Sequence, residues 1–216
     1  MDQIPRDFTN ARHAQRRAVY KACRAATKGT AWRSATGVLF AERNGWFLAA
    51  HEMTGIVQAT TKVRLVIKPM AIDPIFWDMA GQPQLRNESL SFRYFGALTC
   101  PGLILAEVDV SEEGGPPEIA TRMLQLAEET LVDIASTWTI DKFLDGIRSS
   151  INPQRLFATV VCTLIADGRK ESALELCSDS AARGQVKGFL TPRGTFPEMA
   201  AKYLNGEAGK QLSRAH

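Results

Sequence analysis

The sequence predicts an α+β fold: a mainly antiparallel sheet of four to five strands, preceded by one helix and followed by a helical C-terminal half packed on it. Between Thr36 and Val110 apolar residues come in short, turn-bounded, partly alternating runs, which is the period of strands. From Pro116 onward they recur every three or four residues, which is the period of helices. Composition agrees, since 45% hydrophobic and 23% charged residues in a chain of 216 is an ordinary globular balance with room for a sizeable core.

Phe8 to Lys28 reads as the first helix because Phe8, Ala11, Ala18, Val19, Ala22 and Ala26 fall on one face at helical spacing, and Gly29 stops it. Its opposite face carries Arg17, Lys21, Arg24 and Lys28. Two apolar runs, Val38 to Glu42 and Trp46 to His51, flank Asn44-Gly45, the pair that best tolerates the two positive φ angles of a type I′ hairpin. Lys62 to Lys68 alternates as a third strand, while Leu90 to Phe95 and Leu103 to Val110 are expected to complete the sheet.

Within the sheet region, Asp73 is expected to cap a short helix that opens on Pro74 and ends at Gly81. Ile75, Phe76, Trp77 and Met79 make that helix too apolar for an idle loop, so it either plugs the core or offers a recognition surface. Gly114-Gly115-Pro116-Pro117 is the expected hinge between residues 1–115, a helix plus sheet, and residues 116–216, a helical part packed on the sheet as one compact unit. The helical part reads as stripes through Ile119 to Ile134, Ile140 to Ile147, Leu156 to Ile165 and Glu171 to Arg183, then a last helix opened by Thr195, Pro197 and Glu198.

Chemistry is sparse in this pattern. His51 is followed by Glu52, but position 55 is Gly55, so the His-Glu-x-x-His zinc motif is absent, and His13 and His216 are far away in sequence. Glu107 and Asp109 alternate along one strand and therefore share a face about 7 Å apart, close enough to divide acid and base roles with His51 as proton partner. Phosphate-cradling and nucleophile-elbow motifs are missing, and Pro116-Pro117 removes the N–H groups an anion nest at Gly114-Gly115 would need. The four cysteines, Cys23, Cys100, Cys162 and Cys177, are too scattered for a zinc or redox pair and read as reduced core residues, with Cys162 and Cys177 as possible neighbours on adjacent helices. No metal and no cofactor is expected.

The first 33 residues hold eight basic residues against two acidic ones, a local net of +6 in a chain whose total is +3. Such clustering suits a nucleic acid or an acidic partner. No apolar run reaches the roughly 18 residues of a bilayer span, and the polar stretch from Met1 to Arg17 lacks the apolar core of a secretory signal, so a cytoplasmic location is expected. The expected function is a non-enzymatic protein-binding or accessory module whose partner engages either the apolar anchor of Phe76, Trp77 and Met79 or the helical half. The alternatives are a hydrolase-like enzyme using His51 with Glu107 or Asp109, and nucleic-acid binding through Arg17, Lys21, Arg24 and Lys28.

Overall fold

A computed structural model describes residues 6–54, 61–182, 190–191 and 194–206. The chain is α+β, with an N-terminal helix, a five-stranded antiparallel sheet and a mainly helical C-terminal half. Helix α1 runs Arg6–Ala26, and the strands are β1 Arg33–Ala35, β2 Val38–Arg43, β3 Trp46–Thr54, β4 Thr61–Pro69 and β5 Leu103–Val110, lying side by side in that order.

Two tight hairpins build the first three strands. Asn44 and Gly45 take φ of 49° and 78°, as the β2–β3 register with Arg43 opposite Trp46 requires of a type I′ turn. Thr36 and Gly37 repeat the device between β1 and β2, at φ of 47° and 76°. The β4–β5 ladder runs from Thr61 opposite Val110 to Ile67 opposite Leu103, with a bulge between Leu65 and Val66.

Residues directly opposite one another share a sheet face, so register assigns the faces. Trp46, Leu48, Ala50, Glu52 and Thr54 of β3 lie on one face with Thr61, Val63 and Leu65 of β4, and the Thr54 and Thr61 hydroxyls meet at 3.3 Å. His51 lies on the other face, as do Lys62 and Arg64 of β4 and Glu107 and Asp109 of β5.

The chain divides into two compact units, residues 1–68 with 103–138 and residues 69–102 with 139–216. In the first, α1 packs beside α4, Gly115–Leu126, and over β1 and β2, while α4 and the π-type turn that follows it, Ala127–Val132, pack on β3. A short helix α5, Asp133–Thr137, ends this segment. Cys23 of α1 meets Met123 of α4 at 3.8 Å between sulfurs, joining the two helices, and the indole N–H of Trp32, just before β1, donates to Glu128 in the turn after α4 at 2.6 Å.

The inward face of α1 differs from expectation. Val19 is buried as expected, but Ala11 and Ala18 are exposed, and Arg12 and Cys23 are buried in their place. Alanine methyls remove little apolar area from water, while Arg12 gains a carboxylate partner and Val19 and Cys23 offer larger apolar side chains, so the helix rotates to favour them.

The second unit is formed by α2 Ile72–Met79, α3 Phe92–Phe95, α6 Ile140–Arg148, α7 Phe157–Ala166, α8 Lys170–Ala182, a small ladder of β6 Leu190–Thr191 with β7 Gly194–Thr195, and α9 Phe196–Leu204. Its core gathers Ile72, Phe76, Leu144, Val161, Cys162, Ala173 and Phe196, with Phe196 edge-on to Phe76 at 5.4 Å. Such an aromatic pair contributes about 1 kcal/mol beyond its buried area.

Two further expectations are corrected in this unit. Leu90 to Phe95 is not a strand, and β1 supplies the fifth strand instead. Phe92 lies 6.0 Å from the Trp77 ring and the Arg93 guanidinium 5.3 Å above it, and neighbouring residues in a strand would point to opposite faces and lose one of these contacts. Asp73 is not the α2 cap, a position taken by Ala71 without a side-chain bond. Its fully buried carboxylate accepts from the Cys100 backbone N–H at 2.9 Å and from Arg93 at 3.1 Å, joining three stretches of the unit.

Candidate functional site

Strand β3 and helix α1 build the densest polar cluster among the described residues, between the helix and the sheet face that carries Glu52. Spacing on α1 aims Arg12, Gln15, Arg16 and Tyr20 along one side. Arg12 is 6% exposed and grips Glu112 with both ends of its guanidinium, at 2.7 and 2.9 Å. Glu112 also accepts from Gln15 and from the Thr61 hydroxyl, each at 2.7 Å. The Arg12 bond, with help from Gln15 and Thr61, outweighs burial and holds the Glu112 carboxyl down at about 2.

Glu52 stands at the other end of the cluster in the opposite condition. It is 0% exposed, and neither carboxylate oxygen finds a hydrogen-bond partner among the described residues. Arg16 Nε approaches to 3.9 Å, inside ion-pair range and outside hydrogen-bond range, and is itself buried without a partner there. The Arg16 guanidinium lies 5.6 Å from the Tyr20 ring, and that ring rests on Gly37, where a Cβ would come within 2.2 Å of it. Burial pushes the Glu52 carboxyl up, against the opposing charges of Arg16 and Arg12.

The residues singled out from sequence occupy three other places. His51 is on the far face of the sheet with Glu107 and Asp109, but β4 separates β3 from β5, which puts two strand spacings, about 10 Å, between their backbones. Arg64 on that intervening strand holds Glu107 at 2.7 Å, and Lys62 stands 3.8 Å from Asp109. Burial and the charge of Arg64 push His51 down to about 4, so its imidazole is neutral at pH 7. His216 lies outside the described residues.

Phe76, Trp77 and Met79 are all buried, in the core-plugging role of the two expected for them; they present no surface to a partner in this conformation. Arg17, Lys21 and Arg24 line the exposed side of α1, and Lys28 stands exposed in the turn just past its end. Among the described residues none of the four side chains forms an ion pair.

The cysteines are free and buried. Cys162 has its thiol raised by burial and by contact with Cys100, and the charge of Asp73 adds to the effect. Burial likewise raises Cys23 to about 12 and Cys177 to about 11, so these thiols stay protonated and weakly nucleophilic at neutral pH. Among the described residues no group of three or more His, Cys, Asp or Glu side chains is arranged to hold a metal ion, and no helix is long and apolar enough to cross a membrane.

Sequence reasoning missed Arg12, Gln15, Arg16, Tyr20, Glu52, Thr61 and Glu112 as a group. A signal was present for one of them, because Glu52 interrupts the apolar alternation Trp46, Leu48, Ala50 on a strand face that a helix covers. Comparison of the chain with protein-family models, with curated proteins and with solved structures finds no match.

Proposed function

We propose that this protein is a non-enzymatic binding module, and that the outward face of α1 docks it on an acidic surface of a partner protein. The observation that carries the reading is the contrast within one helix. Arg12 faces inward and is matched to Glu112 and Arg16 turns toward Glu52 at 3.9 Å, while Arg17, Lys21 and Arg24, with Lys28 just past the helix, stand exposed without acidic partners among the described residues.

Arg17, Lys21 and Arg24 recur at helical spacing over about 10 Å of helix, and Lys28 extends the stripe into the turn just past it, a surface that suits an acidic helix or loop. Exposed side chains free of internal pairing approach a partner with no bond to break first, and clustered like charge raises the encounter rate. A polynucleotide is the weaker occupant, since no aromatic side chain interleaves the stripe for base stacking and about four phosphate contacts alone give weak, steeply salt-dependent binding.

The test is affinity capture followed by a binding titration on the purified partner. The unaltered chain is expected to bind, whereas Arg17→Glu/Lys21→Glu/Arg24→Glu loses at least about tenfold in affinity. Equal binding by the charge-reversed protein sinks the reading, and tight binding of a random-sequence DNA duplex at about 0.15 M salt transfers the stripe to nucleic acid.

A further inference from the structure

We propose that Glu52 is a proton-operated latch beneath α1: as the neutral acid it lets the helix seat on the sheet, and on ionising it loosens that seat. The geometry is that of a carboxyl group with no surface exposure and no hydrogen bond on either oxygen among the described residues, with Arg16 and the Thr54 backbone N–H of its own strand as nearby groups that favour its ionised form. A neutral carboxyl tolerates such a place at modest cost, whereas a carboxylate must draw in water or a donor.

The side-chain donors nearby are already committed. Arg12 and Gln15, which face the same interface, give their N–H groups to Glu112, and Thr61 gives its hydroxyl to Glu112 as well. Arg16 remains, 3.9 Å off, with its guanidinium over the Tyr20 ring. Tyr20 in turn is fixed against Gly37, so Arg16 turns in on Glu52 only if that seat opens.

The titratable and charged groups that act on Glu52 come from each element packed around it. Helix α1 contributes Arg12, Arg16, Tyr20 and Cys23, and the segment leading into α4 contributes Glu112. Strand β3 itself offers the Thr54 backbone N–H, β2 is entered through the uncharged Gly37, and the buried side of α4 is Ile119, Ala120 and Met123. Two cations favour ionisation, Glu112 opposes it, and burial is the largest influence, leaving the carboxyl above its ordinary value of 4.5.

The sign follows from linkage. A carboxyl raised in the folded state binds more protons folded than unfolded, so its contribution to stability is full below 4.5 and is lost as pH rises through the raised value. The turn of α1 that carries Arg12 and Arg16 is the part that loosens, because further along the helix Val19 and Cys23 are buried in apolar contacts that have no pH dependence in this range.

The test follows the Glu52 side-chain carboxyl by carbon NMR from about pH 4 to about pH 8, together with hydrogen-exchange protection of the α1 amides corrected for intrinsic rates. The carboxyl is expected to titrate above the ordinary glutamate range. Protection of α1 is expected to fall across that titration, by up to about tenfold for each pH unit separating the Glu52 midpoint from an ordinary glutamate. Glu52→Gln, which copies the neutral acid, is expected to keep its protection across the same range. Arg16→Met, a half-exposed position that leaves the interface intact, is expected to raise the Glu52 midpoint by removing the nearest cation. An ordinary or lowered Glu52 midpoint, an unchanged pH dependence in Glu52→Gln, or a midpoint unmoved by Arg16→Met overturns the latch.

Discussion

The inward and outward sides of α1 carry the same kind of side chain and put it to opposite uses. Arg16 and Arg17 are neighbours in sequence, yet one lies within 3.9 Å of a fully buried carboxylate and the other stands in solvent. A helix turns by about 100° per residue, so one position decides between a cation that must be matched inside and one that is left for a partner. Basic residues on a helix are therefore not one class, and the sheet beneath determines which of them belong to the fold.

The strongest way to break that comparison is at Arg12. Arg12→Met leaves Glu112 with only Gln15 and Thr61 as donors, and removal of one member of a largely buried pair costs about 3 kcal/mol. Urea unfolding at neutral pH is the measurement, and a loss under about 1 kcal/mol places the pair among ordinary surface ion pairs. The acid limb of the stability curve gives a second check. Glu112 has a depressed folded value, so its contribution is complete above 4.5 and is lost as pH falls toward about 2. In Arg12→Met that acid-side loss shrinks, while the Glu52 effect at higher pH, of opposite sign, remains.

Legibility in the sequence followed the range of the interactions involved. The Asn44-Gly45 turn and the switch from period two to period three or four are local, and they carried the fold class. The outward stripe was legible for the same reason, since Arg17, Lys21 and Arg24 are spaced by one helix and Lys28 stands just past it. Arg12 and Glu112 are 100 residues apart, and nothing local announces their pairing. The alanine face misled because spacing alone does not weigh a small methyl group against a guanidinium with a waiting carboxylate. Phe92 and Arg93 left the expected strand because both seek one tryptophan, a demand made by Trp77 in another element.

A medium effect sharpens the inward side at Gly37. Gly37→Ala meets two obstacles: a φ of 76°, which L side chains adopt with strain, and a Cβ placed 2.2 Å from the rigid Tyr20 ring. Together they are expected to cost about 2 kcal/mol. A double-mutant cycle with Tyr20→Ala separates them, because the smaller residue removes the clash and leaves a backbone cost of about 1 kcal/mol. Equal losses in both backgrounds would mean that Tyr20 does not rest on this glycine, and with it the constraint on Arg16 would go.

The smallest expected effect on folding is on the outward side. In Arg17→Glu/Lys21→Glu/Arg24→Glu no ion pair between described residues is lost, so stability is expected to stay within about 0.5 kcal/mol of the unaltered chain by urea unfolding. The reversal exchanges like-charged cation pairs for like-charged acid pairs at the same spacing, and an acid in place of Arg24 in the last turn of α1 opposes the helix dipole by a few tenths of a kcal/mol. A protein that folds about as well while losing its partner separates docking from folding. A loss above about 1 kcal/mol would mean that the outward cations are structural too, and the two sides of α1 would no longer differ in kind.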